Sequence, residues 1–198
     1  MKVRMGEGSL PEEKEGFMKK SLRDLMYGAL LSALAFVSMY LIQIPIFPAA
    51  PYLQFDPSEI FSLFAAFFIS PLMGVLVTLV KVILFYLVKQ SGGIIGSILN
   101  FLAVSSFVYV AGVIYRKRKS FLLPLVMGTL VRVVVMIPSN IFFLPLYLGV
   151  PVKDVAVYLY SINIPFNVIV SGINGFLFVI IVYSLRRIPE LKKILGNA

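Results

Sequence analysis

The sequence predicts an all-α integral membrane protein, six transmembrane helices in one bundle with both termini cytoplasmic. Three observations carry that prediction. Long apolar stretches run almost free of charge from Leu22 to Leu185. Basic residues gather at three places: the leading segment (Lys14, Lys19, Lys20, Arg23), the link Arg116-Lys117-Arg118-Lys119, and the end of the chain (Arg186, Arg187, Lys192, Lys193). Composition agrees: 60% of the 198 residues are hydrophobic and only 14% are charged, against roughly half and a quarter in soluble domains. Lys and Arg flank membrane spans on the cytoplasmic side, and an even number of spans puts all three basic clusters on that side.

The elements follow in order. Residues 1–21 read as a polar cytoplasmic tail, mobile to about residue 20, and 188–198 as a second tail; the membrane domain covers 22–187. Leu22 to Gln43 is the first span, too long for the apolar core of a signal peptide and preceded by too long and acidic a segment. Ile44 to Phe55 carries Pro45, Pro48 and Pro51, which break helices, and reads as a loop. Asp56-Pro57-Ser58-Glu59 starts the next helix, with Asp56 as the expected N-cap, Pro57 in the first turn and Glu59 at the positive dipole end. The apolar run that follows is too long for one span and breaks at Ser70-Pro71. It divides into a short second helix (57–69), under the roughly 20 residues of a full crossing, and a third (71–88). The fourth covers Gly93 to Tyr115. The fifth covers Phe121 to Tyr147, with a bend expected at Pro138. A polar-tipped loop is expected from Leu148 to Ser161, and the sixth span from Ile162 to Leu185.

The net charge of +9 flanks the spans and suits anionic lipid head groups of the bilayer rather than nucleic acid. The sequence contains no His and no Cys, so zinc and haem sites of the usual kind and Ser-His or Cys-His nucleophiles are excluded. It also lacks a P-loop and an acidic cluster for two-metal chemistry. No metal, no resident cofactor and no enzymatic activity are expected.

Polar side chains inside a membrane are costly and mark function. Counting from the outer helix ends, Asn140 and Asn167 lie about 8–10 Å down at 1.5 Å per residue. Asn163 and Asn100 lie in the same outer half, Lys81 is mid-to-outer, and Asp56 and Glu59 begin the short helix at that depth. The proline-rich loop, with Phe47, Tyr52 and Phe55, lies above as a lid. These residues describe a pocket open to the outside, suited to a small molecule with a flat apolar body and polar edges; amides that merely join helices are the alternative. Lys81 has three options: the ligand, Glu59 or Asp56, or the interface by snorkelling. Arg132, deeper in the fifth span, requires a partner that the sequence does not name. In the first span Ala29 and Ala33, with Gly28 and Ser32 at the same spacing, form small-residue faces for close helix approach, either within the bundle or to a partner. The chain has no second inverted half of the kind common in secondary transporters, and fits a binding module energised by partners.

Four segments give the chain a resemblance to a known family: Tyr52-Leu53-Gln54-Phe55-Asp56-Pro57-Ser58-Glu59-Ile60; Ser70-Pro71-Leu72-Met73-Gly74-Val75 with Lys81; Gly96-Ser97-Ile98-Leu99-Asn100-Phe101; and Asn140 to Tyr147 with Pro165-Phe166-Asn167. In this order and spacing they resemble the S components of energy-coupling factor (ECF) transporters, the riboflavin-specific type. The resemblance implies high-affinity capture of riboflavin in the plasma membrane of a prokaryote, delivered inward with a membrane coupling subunit and two ATPase subunits. It implies that Asn140 and Asn167 bond the polar edge of the isoalloxazine ring, that Leu53, Gln54 and Phe55 cover the ligand, and that Ala29 and Ala33 dock the coupling subunit. Ligand contacts are also expected from Asp56, Lys81, Asn100 and Asn163. The chain departs from many relatives where Val170 follows Asn167 in place of Lys, and Ser97 follows Gly96 in place of Glu. An S component for another vitamin, or a membrane scaffold without transport, are the alternatives.

Overall fold

The computed structural model describes residues 12–90, 92–149 and 151–188. The expectations for residues 1–11, Lys192 and Lys193 lie outside the described residues. Helix α1 runs Glu12–Leu41, α2 Glu59–Phe64, α3 Pro71–Lys89, α4 Gly93–Arg118, α5 Leu122–Leu148, α6 Val152–Tyr158 and α7 Ile164–Leu185. Among the described residues, five helical stretches are long and apolar enough to cross a membrane, and Glu59–Ile69 forms a shorter apolar helix. Of the six helices expected, the second is the one too short for a full crossing, and it corresponds to Glu59–Ile69.

Four boundaries differ from the sequence reading. The segment read as a mobile tail is helical from Glu12, because Glu, Lys, Met and Leu are good helix formers and no proline interrupts them. Within the first loop, strand β1 (Ile44–Pro45) pairs antiparallel with β2 (Gln54–Phe55) in the register Ile44 to Phe55; Pro45 is tolerated because the ribbon has open edges. Asp56 does not cap a helix. Its Oδ1 accepts from Ser58 N at 2.9 Å, making a turn, and Ser58 occupies the cap position before Glu59. The expected loop at 148–161 is largely helix α6, running through a π turn Leu159–Asn163 directly into α7. Pro151 suits the start of a helix, and Val155 and Leu159, four apart, bury against Leu144 of α5. The polar tip hid this amphipathic spacing.

The core sits at the end of the bundle that carries the basic clusters. Phe67, Phe107, Tyr115 and Phe178 are buried together, with Phe67 4.4 Å from Tyr115 and 4.9 Å from Phe178 between ring centroids, the second pair edge-on. Such aromatic pairs add to plain area burial. Two close approaches need glycine. A Cβ at Gly74 would lie 2.8 Å from Ser62 O, and one at Gly128 2.7 Å from Phe107 O. The first lets α3 fold back tightly on the short α2; the second seats α5 on α4. The short helix ends in a π turn, Ala65–Ile69, and Arg116 donates to Ile69 O at 2.7 Å, satisfying a carbonyl the helix end leaves open.

In α1 the small residues divide by face. Gly28, Ser32 and Ala35 are buried toward α3, whereas Ala29 and Ala33 are exposed beside Leu30 and Leu34.

Candidate functional site

At the opposite end of the bundle from the basic clusters, the ends of α1 and α3, the starts of α4 and α7, and the later part of α5 enclose a cavity of about 150 Å³. On that measure about 10–15 Å³ holds one water, so the space suits an organic molecule. Its wall combines apolar Met39, Val82, Phe85, Leu99 and Met136 with polar Asp56, Asn100, Arg132, Asn140, Asn163 and Asn167. Leu53 and Gln54 of the ribbon, with Tyr52, close it from above.

The residues anticipated from sequence fall into two groups. Asn100, Asn140, Asn163, Asn167, Asp56, Leu53, Gln54 and Tyr52 all border the cavity. Phe47, Phe55 and Lys81 are not among its lining residues. Lys81 is fully buried and donates to Ser58 Oγ beside the start of the short helix, so it does not snorkel to the interface. Phe55 is held in the ribbon opposite Ile44.

A buried polar run joins α2, α5, α7 and the π turn that leads into α7. Arg132 donates from Nη1 to both carboxylate oxygens of Glu59 at 2.9 and 2.8 Å and to Ser171 Oγ at 3.2 Å, and from Nε to Asn167 Oδ1 at 2.8 Å. Asn167 Nδ2 donates to Asn163 O and Oδ1, and Asn163 and Asn140 exchange amide hydrogen bonds at 3.2 and 3.3 Å. Asn140 also donates to Met136 O at 2.7 Å. The π turn ending at Asn163 adds a residue to the helix there, which turns that side chain toward α5. The partner of Arg132 is the residue sequence reasoning missed. The available signal was that one guanidinium and one carboxylate, each alone in an apolar helix, must find each other.

Asn100 Oδ1 is buried with no hydrogen-bond partner among the described residues. Most buried polar atoms are paired, so this acceptor on the cavity wall stands open to a donor. Above it, Tyr52 donates to Tyr158 Oη at 2.7 Å and packs edge-on against Tyr147 at 5.7 Å. Burial raises the pKa of Tyr52 above its ordinary value, outweighing the lowering by its bond to Tyr158. Asn174 Nδ2 holds the start of the short helix from below, donating to Asp56 O at 3.1 Å. Lys89 donates to Gln43 Oε1, tying α3 to the end of α1 at the rim.

A helical bundle that spans the membrane and encloses a polar-floored cavity at one end defines a multi-pass membrane protein built to bind a small molecule. The chain belongs to the family described as ECF transporter, substrate-specific component, whose model matches residues 23–182. It is 36% identical over 174 residues to the riboflavin transporter RibU of Staphylococcus aureus, covering 83% of this chain and 89% of that protein. It is 30% identical over 184 residues to the riboflavin transporter RibU of Streptococcus thermophilus, covering 87% of each. A solved structure described as "Structure and mechanism of the S component of a bacterial ECF transporter" matches with a TM-score of 0.73 at 35% identity, covering 84% of this chain and 97% of that one. These relatives are transporter subunits, not enzymes.

Proposed function

We propose that this chain captures riboflavin from outside a prokaryotic cell, as the substrate-binding subunit of an importer whose membrane coupling subunit and two ATPase subunits supply the energy. The basic clusters at the core end face the cytoplasm, in keeping with the positive-inside rule, so the cavity opens outward. The observation that carries the reading is the cavity itself: an apolar wall for a flat ring system, over a floor of three linked amides and one guanidinium, with an open acceptor at Asn100 Oδ1. An isoalloxazine ring has an apolar benzenoid end and an imide edge of donors and acceptors. A ribityl chain brings hydroxyl donors of the kind that open acceptor accommodates. Asn140, Asn163, Asn167 and Asp56 form the polar end of the site; Leu53, Gln54 and Tyr52 cover it. Phe47, Phe55 and Lys81 act from behind these residues, holding the lid and the start of the short helix. Ala29 and Ala33 are the docking face for the coupling subunit.

The experiment is a titration of the purified protein in detergent with riboflavin, followed by quenching of flavin fluorescence. Saturable quenching at one riboflavin per chain is expected, with no competition from unrelated vitamins. Absence of quenching, together with saturable binding of a different vitamin, overturns the assignment of substrate.

A further inference from the structure

The direction of the amide run has a cause that the run itself does not contain. An asparagine amide can face either way, since its oxygen accepts and its nitrogen donates. A guanidinium only donates. Arg132 Nε therefore admits only the oxygen of Asn167, 2.8 Å away. That turns Asn167 Nδ2 toward Asn163, where both its hydrogens are used, on the backbone oxygen and on Oδ1 at 3.1 Å. Asn163 Oδ1 then holds hydrogen bonds from Asn167 and Asn140, and Asn163 Nδ2 is left to donate to Asn140 Oδ1. One fixed donor sets three amides in sequence. Arg132 is itself fixed, because Glu59 takes Nη1 through both oxygens and the pair is 3% exposed on each side.

The remaining capacity of the three amides follows by subtraction. Asn167 Oδ1 and Asn140 Oδ1 each keep one lone pair, and Asn163 Nδ2 keeps one hydrogen. The nitrogens of Asn140 and Asn167 have nothing left to donate. Reversing Asn167 would set its nitrogen against Arg132, donor facing donor, in a buried site where an unmade hydrogen bond is costly.

We propose that Arg132, held by Glu59, is a specificity-determining positioning residue, which turns the oxygens of Asn167 and Asn140 to the cavity and so selects a ligand that presents an N–H donor to them. The inference rests on the riboflavin reading only for the identity of that donor, the single imide N–H of the ring. The pair acts through the amides: it sets which edge of a ligand they recognise, and a ligand lacking the donor leaves a buried oxygen unpaired.

The test has two arms. In the first, binding of riboflavin and of its N3-methyl analogue, which lacks the imide donor, is measured for the parent, for Arg132→Lys, and for the double variant Glu59→Gln/Arg132→Gln. The double variant removes both charges; Glu59→Gln keeps side-chain size, and Arg132→Gln puts a shorter amide in place of the guanidinium. The parent and Arg132→Lys, whose side chain also only donates, should favour riboflavin by about tenfold or more, the scale of a lost buried hydrogen bond. The double variant should bring the ratio close to one, because Gln can accept as well as donate and frees Asn167 to reverse. A merely structural role would weaken both ligands equally and leave the ratio unchanged; that result overturns the proposal.

In the second arm, NMR of the ligand-free parent labelled with ¹⁵N in asparagine reads hydrogen exchange at the side-chain amides. Slow exchange at Asn167 Nδ2 is expected. Free exchange there overturns the proposal even if the double variant does not fold. If the parent binds no riboflavin, the substrate assignment falls, while this arm still decides the orientation.

Discussion

Arg132 on α5 and Glu59 on the short α2 meet 73 positions apart in the chain, with Nη1 of the arginine 2.8 Å from one carboxylate oxygen and 2.9 Å from the other. Both side chains are 3% exposed. The bond ties the short helix to the far side of the bundle, directly under the cavity.

Removing one partner should therefore cost more than removing both. Arg132→Ala leaves a buried carboxylate without compensation, a change of about 3–5 kcal/mol, whereas replacing both partners by apolar residues of similar size is often close to neutral. Thermal unfolding in detergent should show a large drop for Arg132→Ala and a smaller one for Glu59→Met/Arg132→Met. Equal drops would mean that the pair is not buried as described.

Asn140→Ala, Asn167→Ala and Asn100→Ala should each weaken riboflavin binding without loss of fold. A lost hydrogen bond is worth about 0.5–1.5 kcal/mol net, and more when it leaves a buried ligand atom unpaired. That is a loss of a few-fold to a few hundred-fold in affinity. Fluorescence titration is the measurement; parent-like affinity in all of them would place the site elsewhere.

Tyr52→Phe should loosen the lid by deleting the bond to Tyr158 Oη, speeding riboflavin release by several-fold, the worth of about 1 kcal/mol. The pH dependence has a definite sign. Burial favours the protonated hydroxyl of Tyr52, raising its pKa from 10.0. Its contribution to closure is then complete below pH 10 and lost as pH rises through the raised value. Stopped-flow release rates that already climb between pH 7 and 9 would contradict this.

Ala33→Trp should separate capture from delivery. Ala33 is exposed on the outer face of α1, so riboflavin binding and thermal stability should match the parent, while uptake with the complete importer falls about tenfold or more, equivalent to roughly 1.4 kcal/mol of docking energy. Gly28→Val is the contrast. It faces inward, where an added Cβ would lie 2.5 Å from Met73 Sδ, and should lower the unfolding temperature. If Ala33→Trp also unfolds the protein, the outer face is not a docking surface.

What the sequence by itself determined is the set of properties carried by local composition and helix rise. The apolar runs and basic clusters define a membrane protein and the order of its long helices, although α1 starts ten residues earlier than expected and the loop expected at 148–161 is largely helical. Counting at 1.5 Å per residue placed Asn100, Asn140, Asn163 and Asn167 at one depth, and they do share one cavity. Depth along a helix is a sum over the chain, so it is legible. Direction around a helix is not, because each residue turns about 100° and the zero of that angle is set by packing against other helices. Hence only the tertiary structure decided that Lys81 turns to Ser58, that Ala29 and Ala33 face outward while Gly28 faces α3, and that Arg132 turns to Glu59. The π turn at Leu159–Asn163 belongs with these. It shifts the facing of Asn163 by one residue's rotation, and no local preference in Leu-Tyr-Ser-Ile-Asn announces it; the Asn140 amide on α5 that rewards it lies 23 positions away in the chain.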